Sequence, residues 1–240
     1  MKVAICFIGT GEYLNFLPNY YENLEKYFLP NAEKTILVFT DGELNETPDN
    51  LIPYYQEHLE WPYITLTRFE IIQKAKDIIS QNDWFVFIDA DALVVDTVTE
   101  EEFFDDTKDY FGVHHPCHFL NMPPHNQKYG AFETNINSTA AINKDTDDLS
   151  VYFQGCLWGG KVPQVMNLIE ELDRRVNVDL ENNVIAQWHD ESHLNKFLIE
   201  NKDNTNILGP QFAYPEMFSQ YCDFDPKIVH LSKNNSKYHV

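Results

Sequence analysis

The amino-terminal part of the chain alternates short apolar runs with segments of helical periodicity, and this alternation restricts the possible folds more than any other feature. Apolar runs at Lys2–Ile8, 35–40 and Trp84–Ile88 predict buried strands. Large apolar residues recur at helical spacing over residues 14–28 and 64–79, which predicts an amphipathic helix in each. Strands alternating with helices predict an α/β fold with a mainly parallel central sheet, whose ligands bind at the carboxyl ends of the strands.

The second half of the chain is less regular, and the whole fits one domain. A length of 240 residues suits a single α/β domain. Residues 114–135 are rich in His, Pro and Asn and predict a long loop, which in a compact domain is usually functional. We expect a strand at 136–142 and helices at 162–177 and 191–201. The polar stretch 231–240 predicts a flexible tail or a flap that closes over ligand.

The composition is strongly acidic. The formal charge is 17 − 38 = −21, and the sequence pI is 4.6. Such a surface repels phosphate backbones and anionic lipid, which argues against nucleic-acid binding and membrane-surface binding. A nucleotide ligand stays compatible with this charge, because a metal ion and a few basic residues can reverse the potential at one site.

The cysteines and the amino terminus point to a reduced, cytoplasmic protein. No Cys-x-x-Cys pair is present, so neither a zinc knuckle nor a dithiol redox site is indicated. The first apolar run ends in Gly-Thr-Gly-Glu at residues 9–12 without a cleavage site, which favours a buried strand over a signal peptide. No apolar stretch of the sequence is long enough to span a bilayer. The cysteines are Cys6, Cys117, Cys156 and Cys222.

The sharpest local signal is a pair of carboxylates, Asp89 and Asp91, directly after the apolar run Trp84–Ile88. Alternate residues of an extended chain point the same way, so both carboxylates can face one site. Two carboxylates aimed at one point repel each other unless a cation lies between them, and Mn²⁺ or Mg²⁺ takes such oxygen ligands and can bridge to a diphosphate. An isolated Asp-x-Asp pair is more often an acidic turn than a metal site, and the buried strand before it strengthens this one.

Two further segments combine unusual residue types. The string Gln-Trp-His-Asp-Glu-Ser-His-Leu-Asn at 187–195 opens a predicted helix, and its purely structural interpretation makes Asp190 the N-cap with Glu191 in the first turn. The spacing of its two histidines is typical of zinc hydrolases, but the residue after the first is Asp rather than Glu, which disfavours that class. The string Phe-Gln-Gly-Cys-Leu-Trp-Gly-Gly at 153–160 permits close approach of a ligand to the backbone, or else forms a tight turn before the next helix.

Together these segments resemble glycosyltransferase family 6, the family of the blood-group A and B transferases and the α-1,3-galactosyltransferase. They occur in the family's order over essentially the whole chain, and the Trp-His-Asp-Glu-Ser-His-Leu-Asn string is highly specific. The membrane anchor and stem of some members have no counterpart in these 240 residues, which resembles the soluble bacterial and viral relatives. The matching segments are Arg68-Phe69-Glu70-Ile71-Ile72, Ile88-Asp89-Ala90-Asp91, His115-Pro116, Gly155 through Gly160, and Trp188 through Lys196.

The resemblance implies a GT-A fold, which is a single Rossmann-like domain over residues 1–240. Residues 1–100 would then form the part that binds the nucleotide sugar, residues 101–230 the acceptor and catalytic part, and residues 231–240 the flexible tail. The implied reaction moves galactose or N-acetylgalactosamine from a UDP-sugar to a sugar acceptor, in α-1,3 linkage and with retention of configuration. A fucosylated galactose is the family's common acceptor.

The resemblance also implies roles for individual residues on the donor side. Asp89 and Asp91 match the pair that binds the metal and the diphosphate. Since many bacterial relatives have Asn-x-Asn there and work without metal, the two aspartates predict dependence on Mn²⁺ or Mg²⁺. Lys233 matches a basic residue that closes on the diphosphate. Uridine would pack against Ile8, Thr10 and Tyr13.

At the reacting end, Glu191 matches the carboxylate proposed as nucleophile or as stabiliser of the cationic sugar, and it also faces the acceptor. Asp190 and Arg68 match residues that hold the donor sugar. His115 and Trp188 match acceptor-site positions.

A third set of positions concerns the donor sugar. Gln154, Gly155 and Cys156 occupy the segment that tunes galactose against N-acetylgalactosamine. Cys156 stands where the family usually has Gly or Ala, so its larger side chain should crowd an acetamido group. This favours UDP-galactose, with UDP-glucose left open.

Two other functions stay open from the sequence. One is a UDP-sugar hydrolase; the related pyrophosphorylase class is disfavoured because the Gly-Thr-Gly-Glu turn carries no basic residue. The other is a catalytically weak binder of glycans or nucleotide sugars on the same fold. The acceptor, the route to retention and the oligomeric state are also left open.

Overall fold

The computed structural model describes residues 1–45, 47–221, 224–234 and 238, and within them the chain forms ten strands and eight α-helices. The strands are β1 (Lys2–Ile8), β2 (Glu33–Thr40), β3 (Leu51–Tyr55), β4 (Trp84–Ile88), β5 (Ala92–Val94), β6 (Tyr110–His114), β7 (Phe153–Lys161), β8 (Thr205–Leu208), β9 (Tyr214–Pro215) and β10 (Ile228–His230). The helices are α1 (Leu17–Tyr27), α2 (Tyr63–Leu66), α3 (Arg68–Gln73), α4 (Lys76–Ile79), α5 (Glu100–Phe103), α6 (Pro116–Phe119), α7 (Gln164–Glu181) and α8 (His189–Glu200). Short 3₁₀ helices cover Gly11–Phe16, Lys202–Asn204, Pro210–Phe212 and Glu216–Tyr221.

The predicted α/β fold with a mainly parallel sheet is confirmed, and the architecture is consistent with the GT-A type. In the described part of the chain, seven strands form the central sheet in the order β3-β2-β1-β4-β7-β6-β8, and β5, β10 and β9 form a second sheet. Four of the six strand pairings in the central sheet are parallel, and β7 runs antiparallel to both of its neighbours. Because β1 and β4 are parallel neighbours, their carboxyl ends lie at the same edge of the sheet.

The central sheet is buried on both faces. Successive residues of β1 point to opposite faces, so Ile5 belongs to one hydrophobic cluster and Cys6 to the other. Helix α1 covers the first face with residues such as Leu24, whereas α3 and α7 cover the second with residues such as Phe69 and Leu168. Burial on both faces explains why the strands read as continuous apolar runs rather than as alternating patterns.

The single helix expected over residues 64–79 is wrong, because the segment forms the three short helices α2, α3 and α4. The backbone leaves helical geometry at Thr67 and Ala75. The side chains of Thr65 and Thr67 donate to the carbonyl groups of Pro62 and Tyr63, a bonding mode that competes with the regular helix. The periodicity still identified the buried face correctly, since Leu66, Phe69, Ile72, Ala75 and Ile79 are buried.

One expectation and one alternative for the second half are also wrong. Residues 136–142 form turns rather than a strand, and Ile136 is 89% exposed. Asn135 and Ser138 engage in local side-chain bonds that favour turns over a ladder. Residues 153–160 lie in the central strand β7, not in a tight turn. The two predicted helices are confirmed as α7 and α8 with shifted ends, and the loop expected over 114–135 contains only the one-turn helix α6.

Gly159 of β7 is required by the close packing of three strands. A Cβ atom at this position would lie 2.1 Å from the carbonyl oxygen of Phe85 and 2.5 Å from Cζ of Phe111. The first neighbour is backbone of the adjacent strand, which cannot move without breaking the ladder. We therefore expect Gly159→Ala to lower the free energy of unfolding by about 3 kcal/mol, as measured by urea denaturation. Gly42→Ala is the matched control, because its Cβ would meet the flexible end of Leu14; equal losses in the two variants would contradict the prediction.

The remaining expectations about the chain concern thiols, membranes and the tail. Cys6, Cys117 and Cys156 are free thiols, and Cys222 lies outside the described residues. In the part of the chain that the structure describes, no helix combines the length and the apolar character needed to cross a bilayer. Of the tail, positions 235–237, 239 and 240 lie outside the described residues.

Candidate active site

Two adjoining pockets open at the carboxyl ends of β1 and β4, where the fold predicts a ligand site. Their volumes are about 230 Å³ and 270 Å³, and both are lined by Trp61, Thr65, Arg68 and Asp89, so they form one continuous cleft. The first pocket contains the predicted donor residues Ile8, Thr10, Tyr13, Arg68, Asp89, Asp91 and Lys233. The second contains Arg68, Asp89, Gln154, Gly155, Cys156, Trp188, Asp190 and Glu191.

Arg68 joins the two pockets. It is 7% exposed, and its guanidinium lies 4.5 Å from the ring centre of Phe87. Its Nε lies 3.1 Å from a carboxylate oxygen of Asp190, and its Nη1 lies 3.5 Å from Asp89 and donates to the carbonyl oxygen of Gly155 at 2.9 Å. The arginine therefore balances two carboxylates from different segments, and it fixes the distance between α8 and the end of β4.

Glu191 is held by two hydrogen bonds. Its Oε1 accepts from the hydroxyl of Tyr152 at 2.8 Å, and its Oε2 accepts from the backbone N–H of Gly155 at 2.7 Å. A Cβ atom on residue 155 would lie 3.0 Å from Cβ of Glu191 and 3.4 Å from Oδ2 of Asp190. Glycine at 155 therefore lets the helix that carries both carboxylates pack directly on β7.

The two neighbouring carboxyls of α8 are hard to ionise. Burial raises the pKa of Asp190 to about 7 against the lowering effect of Arg68. Burial also raises the pKa of Glu191 to about 7, although the Gly155 N–H and the Tyr152 hydroxyl both favour the carboxylate. Two adjacent acids that change charge near neutral pH are typical of a reacting centre.

At the other end of the cleft, Asp89 and Asp91 lie together with His230. One ligand atom from each of the three residues falls within 4.8 Å of the others, a group compatible with a divalent metal ion. Burial opposes ionisation of Asp91, but contacts with His230 and Lys233 hold its pKa below the usual range. The Lys233 ammonium contacts Oδ2 of Asp91 and lies 4.7 Å from the ring centre of Tyr13. The donor set of two oxygens and one nitrogen therefore fits a bound cation.

The structure places His115 outside both pockets and gives Asp190 no capping role. His115 lines neither pocket; its ring lies 4.4 Å from His125 and 5.8 Å from Tyr152, so it sits behind the side chain that holds Glu191. Burial lowers the pKa of His115 to about 3, which keeps the ring neutral. Asp190 is not the N-cap, because α8 begins at His189 and the Asp190 carboxylate faces Arg68 instead.

Sequence reasoning missed several residues of the cleft. His58 lies 2.9 Å from the hydroxyl of Thr10, and Trp61 packs edge-on to His189 at 4.8 Å. Tyr152 lies just before β7 and bonds to Glu191, and His230 is placed by the pairing of β10 with β5, so no local pattern marks either residue.

The sequence is similar to proteins of one known family. The sequence model described as glycosyltransferase family 6 matches residues 1–239.

The chain belongs to glycosyltransferase family 6.

Relatives within this family differ in length. The chain is 28% identical to the O-antigen biosynthesis glycosyltransferase WbnI of Escherichia coli, over 100% of this chain and 98% of that protein. It is 27% identical to histo-blood group ABO system transferase 1 of Rattus norvegicus, over 96% of this chain and 66% of the relative. It is 24% identical to the human globoside alpha-1,3-N-acetylgalactosaminyltransferase 1, over 90% of this chain and 62% of that protein. The family 6 protein described here is thus a glycosyltransferase, which uses a nucleotide-sugar donor and a glycan acceptor.

Proposed function

We propose that this family 6 glycosyltransferase moves a hexose from a UDP-sugar to a sugar acceptor in α-1,3 linkage, with retention of configuration and with a bound divalent metal ion. The observation that carries the proposal is the convergence of Arg68, Asp190 and Glu191 on a cleft that continues to Asp89 and Asp91. A nucleotide sugar needs polar and charged groups around its hexose at one end of a cleft and positive charge around its diphosphate at the other. The order of these residues along the cleft meets that need.

The two pockets suggest how the donor binds. The first pocket is suited to the nucleotide, with uridine against Ile8, Thr10 and Tyr13 and the diphosphate near Lys233. The second pocket is suited to the hexose, held by Arg68 and Asp190. In this proposal residues 1–100 supply most of the nucleotide contacts and 101–230 supply the reacting end. Trp188, 42% exposed at the rim, contacts the acceptor, and His115 supports the acceptor side from behind Tyr152.

Asp89 and Asp91 would hold the metal ion, Mn²⁺ or Mg²⁺. When bound, this cation supplies positive charge that stabilises the diphosphate as it leaves. Lys233 and Arg68 provide fixed positive charge at the same end of the cleft, and they need no reorganisation when the bond between the sugar and the phosphate breaks.

Glu191 is proposed to act on the anomeric carbon. Its carboxylate can stabilise the positive charge that develops there, or displace UDP and form a covalent bond to the sugar; the acceptor hydroxyl then displaces the carboxylate, which takes the acceptor proton as it leaves. In the first route the departing phosphate oxygen takes the acceptor proton. Both routes retain configuration, and both need Glu191 ionised and aimed into the second pocket, as the bonds from Tyr152 and Gly155 hold it.

The test of this function is UDP release from UDP-galactose, UDP-N-acetylgalactosamine and UDP-glucose, each with Mn²⁺ and with EDTA. We expect Mn²⁺-dependent release from UDP-galactose that is stimulated by a fucosylated galactose acceptor. Equal release with and without every acceptor tried would indicate a hydrolase. Equal release in EDTA would refute the metal dependence while leaving the transferase. Donor binding without release would favour a sugar-binding protein.

The transfer rate should depend on pH through Glu191. Since burial raises the pKa of Glu191 to about 7, the carboxylate fraction grows as the pH rises through neutrality. We expect kcat to increase about tenfold from about pH 6 to about pH 8, with Asp190 titrating as part of the same pair. Affinity for UDP over the same range is the control, because the nucleotide contacts lie in the first pocket. A rate that is flat or falls over this range would contradict the role of the carboxylate.

Cys156 should affect the choice of donor sugar. This buried residue of β7 lines the second pocket, where its side chain should crowd an acetamido group. We expect Cys156→Ala to raise the ratio of kcat/KM for UDP-N-acetylgalactosamine to that for UDP-galactose by about tenfold. Cys117→Ala, outside both pockets, makes the same change as a control. An unchanged ratio in the Cys156 variant would show that other residues set the preference.

A further inference from the structure

His230 lies beside the aspartate pair although it is far from the pair in sequence. Strand β10 pairs antiparallel with β5, which places His230 opposite Ala92. The N–H of Leu231 donates to the carbonyl oxygen of Asp91 at 3.0 Å. The residues on each side of His230 are therefore fixed by backbone bonds to the segment that carries the aspartates, and strands position side chains more accurately than loops do.

The side chain of His230 directs one ring nitrogen at Asp91. Its Nδ1 lies 3.5 Å from Oδ1 of Asp91, and its side chain is 11% exposed. Two ligand atoms at about 2.1 Å from one octahedral ion lie about 3 Å apart, so this separation needs little adjustment. The other ring nitrogen, Nε2, is buried without a hydrogen-bond partner among the described residues. Among the described residues, Nδ1 therefore faces Asp91, whereas Nε2 makes no hydrogen bond.

The two oxygens of Asp91 face different groups. Oδ2 contacts the Lys233 ammonium, whereas Oδ1 faces His230. Asp89, whose carboxylate is partly exposed to the cleft, completes the group of three. Oδ1 of Asp91, His230 and Asp89 can thus bind one cation while Oδ2 of Asp91 stays in contact with Lys233.

We propose that His230 is a third protein ligand of the metal ion and gives the site a preference for a first-row transition metal over Mg²⁺. An imidazole nitrogen binds such ions well, whereas Mg²⁺ selects oxygen ligands. The inference rests on the proposed metal site at Asp89 and Asp91, and it adds a ligand and a selectivity to that site. The aspartates alone would give an all-oxygen site suited to Mg²⁺ and Mn²⁺ alike.

The test measures metal binding directly on the full chain in the presence of UDP. Mn²⁺ affinity is obtained from the loss of the free-ion electron paramagnetic resonance signal, and Mg²⁺ affinity from competition. We expect His230→Gln, which replaces the nitrogen donor by oxygen, to weaken Mn²⁺ about tenfold or more while Mg²⁺ affinity changes less than about threefold. His118→Gln makes the same change outside both pockets and should change neither affinity.

A spectroscopic signature separates ligation from a merely structural role. Electron spin echo modulation of bound Mn²⁺ should show a strongly coupled nitrogen in the wild-type protein and in His118→Gln, and none in His230→Gln. The affinity of each variant for UDP in EDTA shows that the pocket has formed. If the wild type binds Mn²⁺ without a coupled nitrogen, the inference is wrong while the aspartate site stands. If the wild type does not bind Mn²⁺ with UDP, the metal dependence of the proposed function fails too.

Discussion

Replacing Glu191 by Gln should reduce the rate of sugar transfer by about three orders of magnitude, while UDP affinity changes less than about threefold. The amide fits the same space, and the Tyr152 hydroxyl can rotate to accept from it while its oxygen faces the Gly155 N–H. What the variant loses is negative charge beside the anomeric carbon. Product formation at saturating donor gives kcat, and calorimetric titration gives UDP affinity.

Tyr152→Phe is the matched control for this prediction. It removes the hydrogen bond to Oε1 but leaves the carboxylate and its bond from Gly155 in place. We expect a loss of no more than about tenfold in kcat, because one hydrogen bond from an uncharged donor contributes less than the charge of the carboxylate itself. Near-normal transfer by Glu191→Gln would mean that Glu191 only shapes the start of α8. An equal loss in both variants would assign the effect to misplacement of the side chain.

The second large effect is expected for Arg68→Met, which should lower the free energy of unfolding by about 3–5 kcal/mol. Removing the guanidinium leaves the buried carboxylate of Asp190 without its counter-ion and the carbonyl group of Gly155 without its donor. Methionine fills most of the volume over the Phe87 ring, so the lower free energy of unfolding results from the missing charge rather than from lost packing. Urea denaturation gives the free energy, and transfer should be lost in parallel because the donor sugar is no longer held.

Two further variants identify the cause of that loss. Asp190→Asn added to Arg68→Met removes the unpaired charge and should recover part of the stability. Arg174→Met breaks a pair on the surface of α7, between Arg174 and Glu171, and should leave stability nearly unchanged. If the double variant is no more stable than Arg68→Met, the destabilisation does not come from the Asp190 charge.

The strands β1, β2 and β4 could be predicted from the sequence because each is a continuous apolar run that ends in polar residues. Their bounds differ from expectation by two residues at most. The short strands β9 and β10, with two and three residues, carry no pattern that separates them from loop. Residues 64–79 form three short helices because threonine hydroxyls donate to backbone carbonyl groups of the preceding turn. The spacing of apolar residues carries no information about such bonds.

Some residues of the candidate site could likewise be predicted from the sequence, and others could not. Asp89 and Asp91 were visible because they follow a predicted strand, and the resemblance to the family pointed to Arg68, Asp190 and Glu191. Contacts between distant segments then bring these residues into one cleft. Tyr152 and His230 could not be foreseen, since their positions follow from the antiparallel strand β7 and from the pairing of β10 with β5. Their neighbours in sequence contain no hint of those partners.

The pairing of β10 with β5 also bears on how the protein folds. It joins segments separated by more than half of the chain, and closing such a loop is slow compared with forming β1, α1 and β2, which are near one another in sequence. The β1–β2 pair can therefore form while Asp91 still lacks His230 and Lys233 beside it. We expect nucleotide affinity to develop after the β1–β2 pair has formed, so a fluorescent UDP analogue should respond later in refolding than circular dichroism.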